Sequence, residues 1–460
     1  MISRTDASVG AHCRCVLLVA ALAVLVWIGG SSASSAEAGP ATEHWIGTWA
    51  TAPQPAIPSR VQAFRNQTVR LIVHVSAGGK RVRIKISNTY GEQPLLIGAA
   101  HLARRANGAD IDAASDRKLT FGRKGSAKVA AGAMAVSDPV DLEVPALSDL
   151  AISLFFPEVA AATTSHTLAM QTNYVSAENG DSTAAVKFPV DNTISAWPFL
   201  TGVDVTPSPG GAAIVAFGSS TTDGDGSTKD SNHRWPDVLA ERLQKEANGK
   251  AELGVLNEGI IGNRLLSDGH SPGQRGGPFE ETLRQYGNGL GDAGVARFER
   301  DVLDQAGVKF VVLVLGINDI LFPGAFIPAS ESVSAEQVIA GNRRLIERAH
   351  KQGIRVIETT IPPFEDATFH QPVIKFSTPE KEAARQQVNA WIRGSREFEG
   401  MIDFDEVLRD PSHPARLLPK YDAGDHLHAN DAGYIASGNA VSLALFRAPE
   451  KSEGEKRGNP

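Results

Sequence analysis

The chain has 460 residues, 42% of them hydrophobic and 21% charged, the balance of a globular protein long enough for roughly two to three domains. Its 45 Lys and Arg against 52 Asp and Glu give a net charge of −7, and no basic stripe offsets that locally. A DNA or RNA partner is therefore not expected.

Residues 1–38 read as a secretory signal peptide. Arg4 and Arg14 precede an apolar run over residues 16–28, and Ala36-Glu37-Ala38 offers a small-residue cleavage site. The run is shorter than the ~18 residues a membrane-spanning helix needs, so no stable membrane anchor is expected and the mature chain would be secreted or periplasmic. Both cysteines, Cys13 and Cys15, precede this run. The mature chain would thus hold no disulfide, thiolate metal site or cysteine nucleophile.

Residues 39–201 have a strand-like grain. Val69, Leu71, Val73 and Val75 alternate with mostly polar positions, Ala77-Gly78-Gly79-Lys80 turns the chain, and Val82, Ile84 and Ile86 return with the same period. That pattern predicts a β-hairpin. Further strands are predicted near residues 119–121, 140–144, 150–156 and 167–175, and long stretches of helical period are missing. An all-β sandwich or jelly-roll-like domain is the natural solution.

Residues 202–211, rich in Gly, Pro, Ser and Thr, read as a linker, after which residues 212–449 alternate strand and helix. Strands are predicted at 212–217, 253–256, 310–315, 355–359 and 401–404, with helices at 236–246, 295–305, 335–352, 379–393 and 431–445. Such βα repetition implies a three-layer α/β/α domain with a parallel sheet, whose ligands gather at the carboxyl ends of the strands. Residues 450–460 form a charged tail.

Four polar clusters fall at those strand ends. Gly218-Ser219-Ser220-Thr221-Thr222-Asp223-Gly224 follows the first strand, where a serine hydroxyl can project beside backbone N–H groups able to receive an oxyanion. No Gly-Lys-Ser/Thr follows it, which excludes a P-loop. Asn257-Glu258-Gly259-Ile260-Ile261-Gly262-Asn263 follows the second strand, and its glycines let the backbone turn and present N–H groups. Gly316-Ile317-Asn318-Asp319 closes the third, where the Asn318 amide can donate into the same pocket. Asp422-Ala423-Gly424-Asp425-His426-Leu427-His428 leads into the last helix. An imidazole is the usual base for a serine, and a carboxylate three residues earlier can hold its other nitrogen. His426, His428, Asp422 and Asp425 could also ligate a metal, but no second His-rich cluster accompanies them. An α/β-hydrolase is disfavoured, because the serine turn lacks the second glycine of G-x-S-x-G and follows the first strand of its domain.

In this order the four clusters resemble the blocks of the SGNH hydrolases, also called the GDSL esterase/lipase family. The resemblance assigns Ser220 as nucleophile, His428 as base and Asp425 as its orienting partner. It makes the Ser220 and Gly262 N–H groups and the Asn318 amide the oxyanion hole, and it implies a flavodoxin-like domain over residues 212–449. His233-Arg234-Trp235-Pro236, Asn263-Arg264-Leu265-Leu266 and Gly47-Thr48-Trp49-Ala50 look like strings from secreted esterases of the arylesterase/acylhydrolase type associated with xylan degradation. Two positions depart from the family: Ser219 stands where Asp is usual, and Ala429 replaces the proline often found after the histidine.

The resemblance implies a secreted serine esterase acting through an acyl-enzyme on short-chain esters, O-acetyl groups on carbohydrate or aryl esters, with no cofactor and no metal. Asp319 is expected to brace its loop, and His426 to be a loop or pocket residue. His270 and Arg275 are expected in a solvated loop able to line a substrate rim. Two rivals stand beside this reading, a non-catalytic carbohydrate-binding protein with a lapsed hydrolase domain and a metal-dependent hydrolase. Retention of Ser220, Gly262, Asn318, Asp425 and His428 argues against the first.

Overall fold

Alternating Val, Leu and Ile side chains bury one face of each long strand in the first part of the chain. The computed structural model describes residues 43–57, 61–247, 253–269, 287–368 and 376–447. The signal segment with its cysteines, His270, Arg275 and the charged tail lie outside the described residues.

In chain order the first region forms β1 (Ile46–Ala50), β2 (Gln54–Pro55), β3 (Gln67–Val75), β4 (Gly79–Ser87), β5 (Ala99–Asn107), β6 (Met134–Val136), β7 (Val140–Val144), β8 (Ser148–Phe156), β9 (Thr164–His166), β10 (Asn173–Ser176), β11 (Val190–Ile194), β12 (Trp197–Pro198) and β13 (Leu200–Val205). One antiparallel sheet runs β1-β13-β4-β6, with β7 also on β4, and a second runs β11-β10-β3-β8-β5. Val82, Ile84, Ile86 and Val203 of the first share one buried cluster with Val69, Leu71, Val73, Leu150 and Ile152 of the second, so the sheets pack face to face. A small third sheet, β12-β9-β2, lies apart from both.

Three expectations are corrected here. β3 and β4 do not form the predicted hairpin; they belong to different sheets, and the turn between them carries the chain across the core. Alternation reports that one face of a strand is buried, and strands stacked across a core satisfy it as well as strands paired at their edges. Thr48 pins the crossing, its hydroxyl donating to Ala77 O at 2.7 Å and accepting from Ala77 N at 2.8 Å. Residues 202–205, assigned to the linker by composition, instead end β13, every residue of which is buried. Asp204 tolerates that burial because Arg83 and Lys85 hold its two oxygens at 2.9 and 3.0 Å. Of the strand predicted over 167–175 only residues 173–175 are strand, in β10, and 167–172 connect it to β9.

The second region forms β14 (Ala212–Gly218), β15 (Leu253–Gly259), β16 (Val308–Val314), β17 (Arg355–Thr359) and β18 (Gly400–Ile402), paired in parallel in the order β15-β14-β16-β17-β18. Its helices are α1 (Ser220–Asp223), α2 (Trp235–Ala247), α3 (Gly294–Phe298), α4 (Ile317–Leu321), α5 (Ala335–Lys351), α6 (Pro379–Gly394), α7 (Phe404–Leu408) and α8 (Asp431–Ala440). A capping box on Ser334 starts α5, and Thr378 with Pro379 starts α6. Residues of β14 alternate between two helical layers. Ala213, Val215 and Phe217 pack with Leu345 of α5 and Val388 of α6, while Ile214 and Ala216 pack with Trp235 of α2 and Tyr434 of α8. Burying each large side chain of this kind contributes ~1.5–3 kcal/mol. The strand order reverses between β14 and β16, the place where such a sheet opens a crevice at its carboxyl ends.

The two regions share a polar, partly buried boundary. Ser76 accepts from Val255 N at 2.8 Å, and Tyr90 donates to Asp292 at 2.6 Å while accepting from Arg300 at 3.0 Å.

Candidate active site

Ser220 is the first residue of α1, directly after β14, and Asn318 lies in α4, directly after β16, so the two flank the crevice. The Ser220 hydroxyl is 2.9 Å from His428 Nε2, and His428 Nδ1 is 2.6 Å from Asp425 Oδ2. His428 and Asp425 are both buried, at 2% and 4% exposure, so their interaction is little screened by water. The other Asp425 oxygen accepts the backbone N–H groups of Leu427 at 3.0 Å and His428 at 2.8 Å. That arrangement follows from the Asp-x-x-His spacing, which turns the loop back onto its own carboxylate.

Burial opposes charge on His428, but the hydrogen bond to Asp425 and the carboxylates of Asp225, Asp425 and Asp422 outweigh it and raise the imidazole above its ordinary value. Burial likewise opposes ionisation of Asp425, yet the hydrogen bond and charge of His428 and the two N–H groups hold its carboxyl well below the usual carboxylate range. The pair is thus set to keep its negative charge on Asp425 and its titrating proton on His428.

The Gly262 loop stands beside this chain. Gly262 has φ +69°, which favours glycine, and a Cβ there would come within 2.5 Å of the Leu290 side chain and displace it. Gly226, at φ +88°, would set a Cβ 2.6 Å from Ala429 O, against the loop that carries His428. Asn318 reaches the Gly262 loop, its Nδ2 donating to Asn263 O at 2.9 Å. Asp319 accepts from Leu265 N at 2.7 Å and Leu266 N at 2.9 Å, the bracing role expected of it; burial pushes its carboxyl up to about 6 despite those two donors.

Residues 214–441 match the family model of the GDSL-like lipases and acylhydrolases. The chain carries a domain of that family. It is accordingly a carboxylic ester hydrolase. Similar solved structures include an aryl esterase from M. smegmatis, 17% identical over 50% of this chain and 95% of that one with a TM-score of 0.34. A carbohydrate acetylesterase from Sinorhizobium meliloti is 15% identical over 50% of this chain and 95% of that one, with a TM-score of 0.36. No curated protein matches the chain.

Around the GDSL motifs the structure adds residues that the sequence reading missed. Asp225 brings a second carboxylate to within 3.6 Å of His428 Nδ1; its only local signal was its place between Gly224 and Gly226. Arg297, fully buried, donates to Gly218 O at 2.8 Å, Glu258 O at 2.9 Å and Asn263 Oδ1 at 3.1 Å, joining the ends of β14 and β15 to the Gly262 loop. His426 is half exposed and paired with Asp422 at 2.5 Å. Ser219 takes the place of the family's usual Asp, and its hydroxyl is buried without a hydrogen-bond partner. Among the described residues, no group of three or more His, Cys, Asp or Glu side chains is placed to hold a metal ion, and no helix is long and apolar enough to cross a membrane.

Proposed function

We propose that this GDSL hydrolase is a secreted or periplasmic serine esterase that cleaves short-chain esters through an acyl-enzyme. The observation that carries the reading is the continuous chain from Ser220 Oγ through His428 to Asp425, at 2.9 and 2.6 Å. His428 takes the hydroxyl proton as Ser220 attacks the ester carbonyl, and Asp425 stabilises the imidazolium that forms. The proton then passes to the departing alcohol. Water, deprotonated by the same imidazole, releases the acyl group and restores Ser220. The oxyanion is assigned to the Ser220 and Gly262 N–H groups and to the Asn318 amide, one N–H of which is already fixed on Asn263 O. Ser219 is a poor nucleophile in this geometry, because its buried hydroxyl makes no hydrogen bond to a base.

The substrate class rests on the resemblance of the motif strings to acylhydrolases associated with xylan degradation. O-acetyl groups on polysaccharide are therefore the proposed natural target, and small aryl esters would serve as well. Residues 39–205 are proposed as a jelly-roll-like companion to a flavodoxin-like catalytic domain over 212–449. The test is release of nitrophenol from p-nitrophenyl acetate, and of acetate from acetylated xylan, by the wild type, Ser219→Ala and Ser220→Ala, with and without EDTA. Loss of at least ~10⁴-fold in Ser220→Ala alone, with no effect of EDTA, is expected. Turnover retained by Ser220→Ala would overturn the serine mechanism, and turnover lost in EDTA would favour a metallohydrolase.

A further inference from the structure

We propose that the β region supplies a positioning residue, His166, that holds the nucleophile turn and the oxyanion loop in one geometry. The proposal rests on the serine esterase reading and extends it to residues outside the GDSL motifs. His166 lies in β9, in the small sheet between β2 and β12, and is 2% exposed. Its Nδ1 is 3.0 Å from Ala52 O and its Nε2 is 2.9 Å from Asp223 Oδ1. The Ala52 carbonyl can only accept, so Nδ1 carries the proton of that hydrogen bond, and Nε2 is left to share the second with Asp223. Trp197 of β12 lies alongside the ring, with centroids 5.8 Å apart.

Asp223 is placed to transmit this anchor. It ends the short α1 that Ser220 begins, and its other oxygen accepts the N–H of Ile261 at 2.9 Å, one residue before Gly262. One carboxylate thereby links the turn of the nucleophile to the loop of the oxyanion donor, and His166 fixes that carboxylate from the β region. The same small sheet grips the Gly262 loop a second time. Gln54 of β2 accepts from Thr167 N at 2.8 Å and donates to Gly289 O at 2.5 Å. The adjacent Leu290 limits the space at Gly262, and its carbonyl accepts from Asn263 Nδ2 at 2.8 Å. In an acyl-transfer site, a donor displaced by a few tenths of an ångström loses its advantage in the transition state while leaving ground-state binding nearly intact.

The experiment uses the full chain and the variants His166→Ala, His166→Gln, Asp223→Asn and Ser220→Ala. Each is checked for folding by thermal melting and assayed on p-nitrophenyl acetate. Inhibition by an arylboronic acid, a mimic of the tetrahedral intermediate, is measured in parallel. The folded His166 and Asp223 variants are expected to lose roughly 10- to 100-fold in kcat with KM changed less than about threefold. Boronate affinity should fall by the same factor as kcat/KM. A doubly substituted His166→Gln, Asp223→Asn chain should be no slower than the poorer single variant. Should His166→Ala fail to fold, His166→Gln and Asp223→Asn decide the matter. Wild-type kcat in either, or a loss of kcat with boronate affinity untouched, would overturn the positioning role. Turnover by Ser220→Ala would instead overturn the esterase reading, so the two failures are distinguishable.

Discussion

Asp225→Asn removes a carboxylate 3.6 Å from His428 Nδ1 while leaving Asp425 in place at 2.6 Å. At that separation two unit charges interact by ~1 kcal/mol in water and ~5 kcal/mol at an effective dielectric of 20. The Asp225 side chain is 18% exposed, which puts the effect toward the lower end, at about 1.4 kcal/mol or roughly one pKa unit. His428 must be neutral to accept the serine proton, so activity is lost as pH falls through its raised pKa. Removing a negative neighbour lowers that pKa. The acid limb of kcat/KM for p-nitrophenyl acetate should therefore move to lower pH by about one unit. The plateau rate should fall by up to about tenfold, because the imidazolium formed in the transition state loses part of its stabilisation. A pH–rate profile of the folded variant reads both quantities. An acid limb that stays where it is, or moves to higher pH, would refute the reasoning.

Two other substitutions test the surroundings of the site. Glu358, buried in β17 with one oxygen lacking a partner, has its carboxyl pushed up to about 8 by burial. The folded state thus keeps a proton that the unfolded state gives up near 4.5, and stability is lost as pH rises between these values, by about 3 kcal/mol at pH 7. Glu358→Gln should raise Tm clearly at pH 7–8 and hardly at pH 4.5; an equal shift at both would contradict this account. Gly262→Ala places a methyl group against Leu290 at a left-handed φ. It should lower kcat by roughly 10²-fold or more in a chain that still folds, and near-normal kcat would count against the oxyanion assignment.

The residues of the site were legible where chemistry and sequence neighbourhood coincide. Asp425 and His428 sit three residues apart in one loop, and Ser220 and Asn318 each follow an apolar run buried on both faces, the mark of a parallel strand. Partners distant in sequence left no such trace: His166 meets Asp223 across 57 positions, and Arg297 meets Gly218 across 79. A lone histidine among Ser and Thr, or a lone arginine on a helix, carries no signal of the carbonyls or carboxylates that will satisfy it. In the β region alternation showed which faces are buried but not which strands pair, so β3 and β4 were expected side by side. Asp204 hid a strand because its two cationic partners could not be read locally.

The central claim is that Ser220 forms the covalent intermediate. Treating the protein with a p-nitrophenyl phosphonate ester and mapping the adduct by peptide mass spectrometry tests it most directly. One phosphonyl group per chain on Ser220, with activity lost in proportion and no labelling of Ser220→Ala, is the predicted result. A label on Ser219, or inactivation without any adduct on the 218–224 turn, would contradict it.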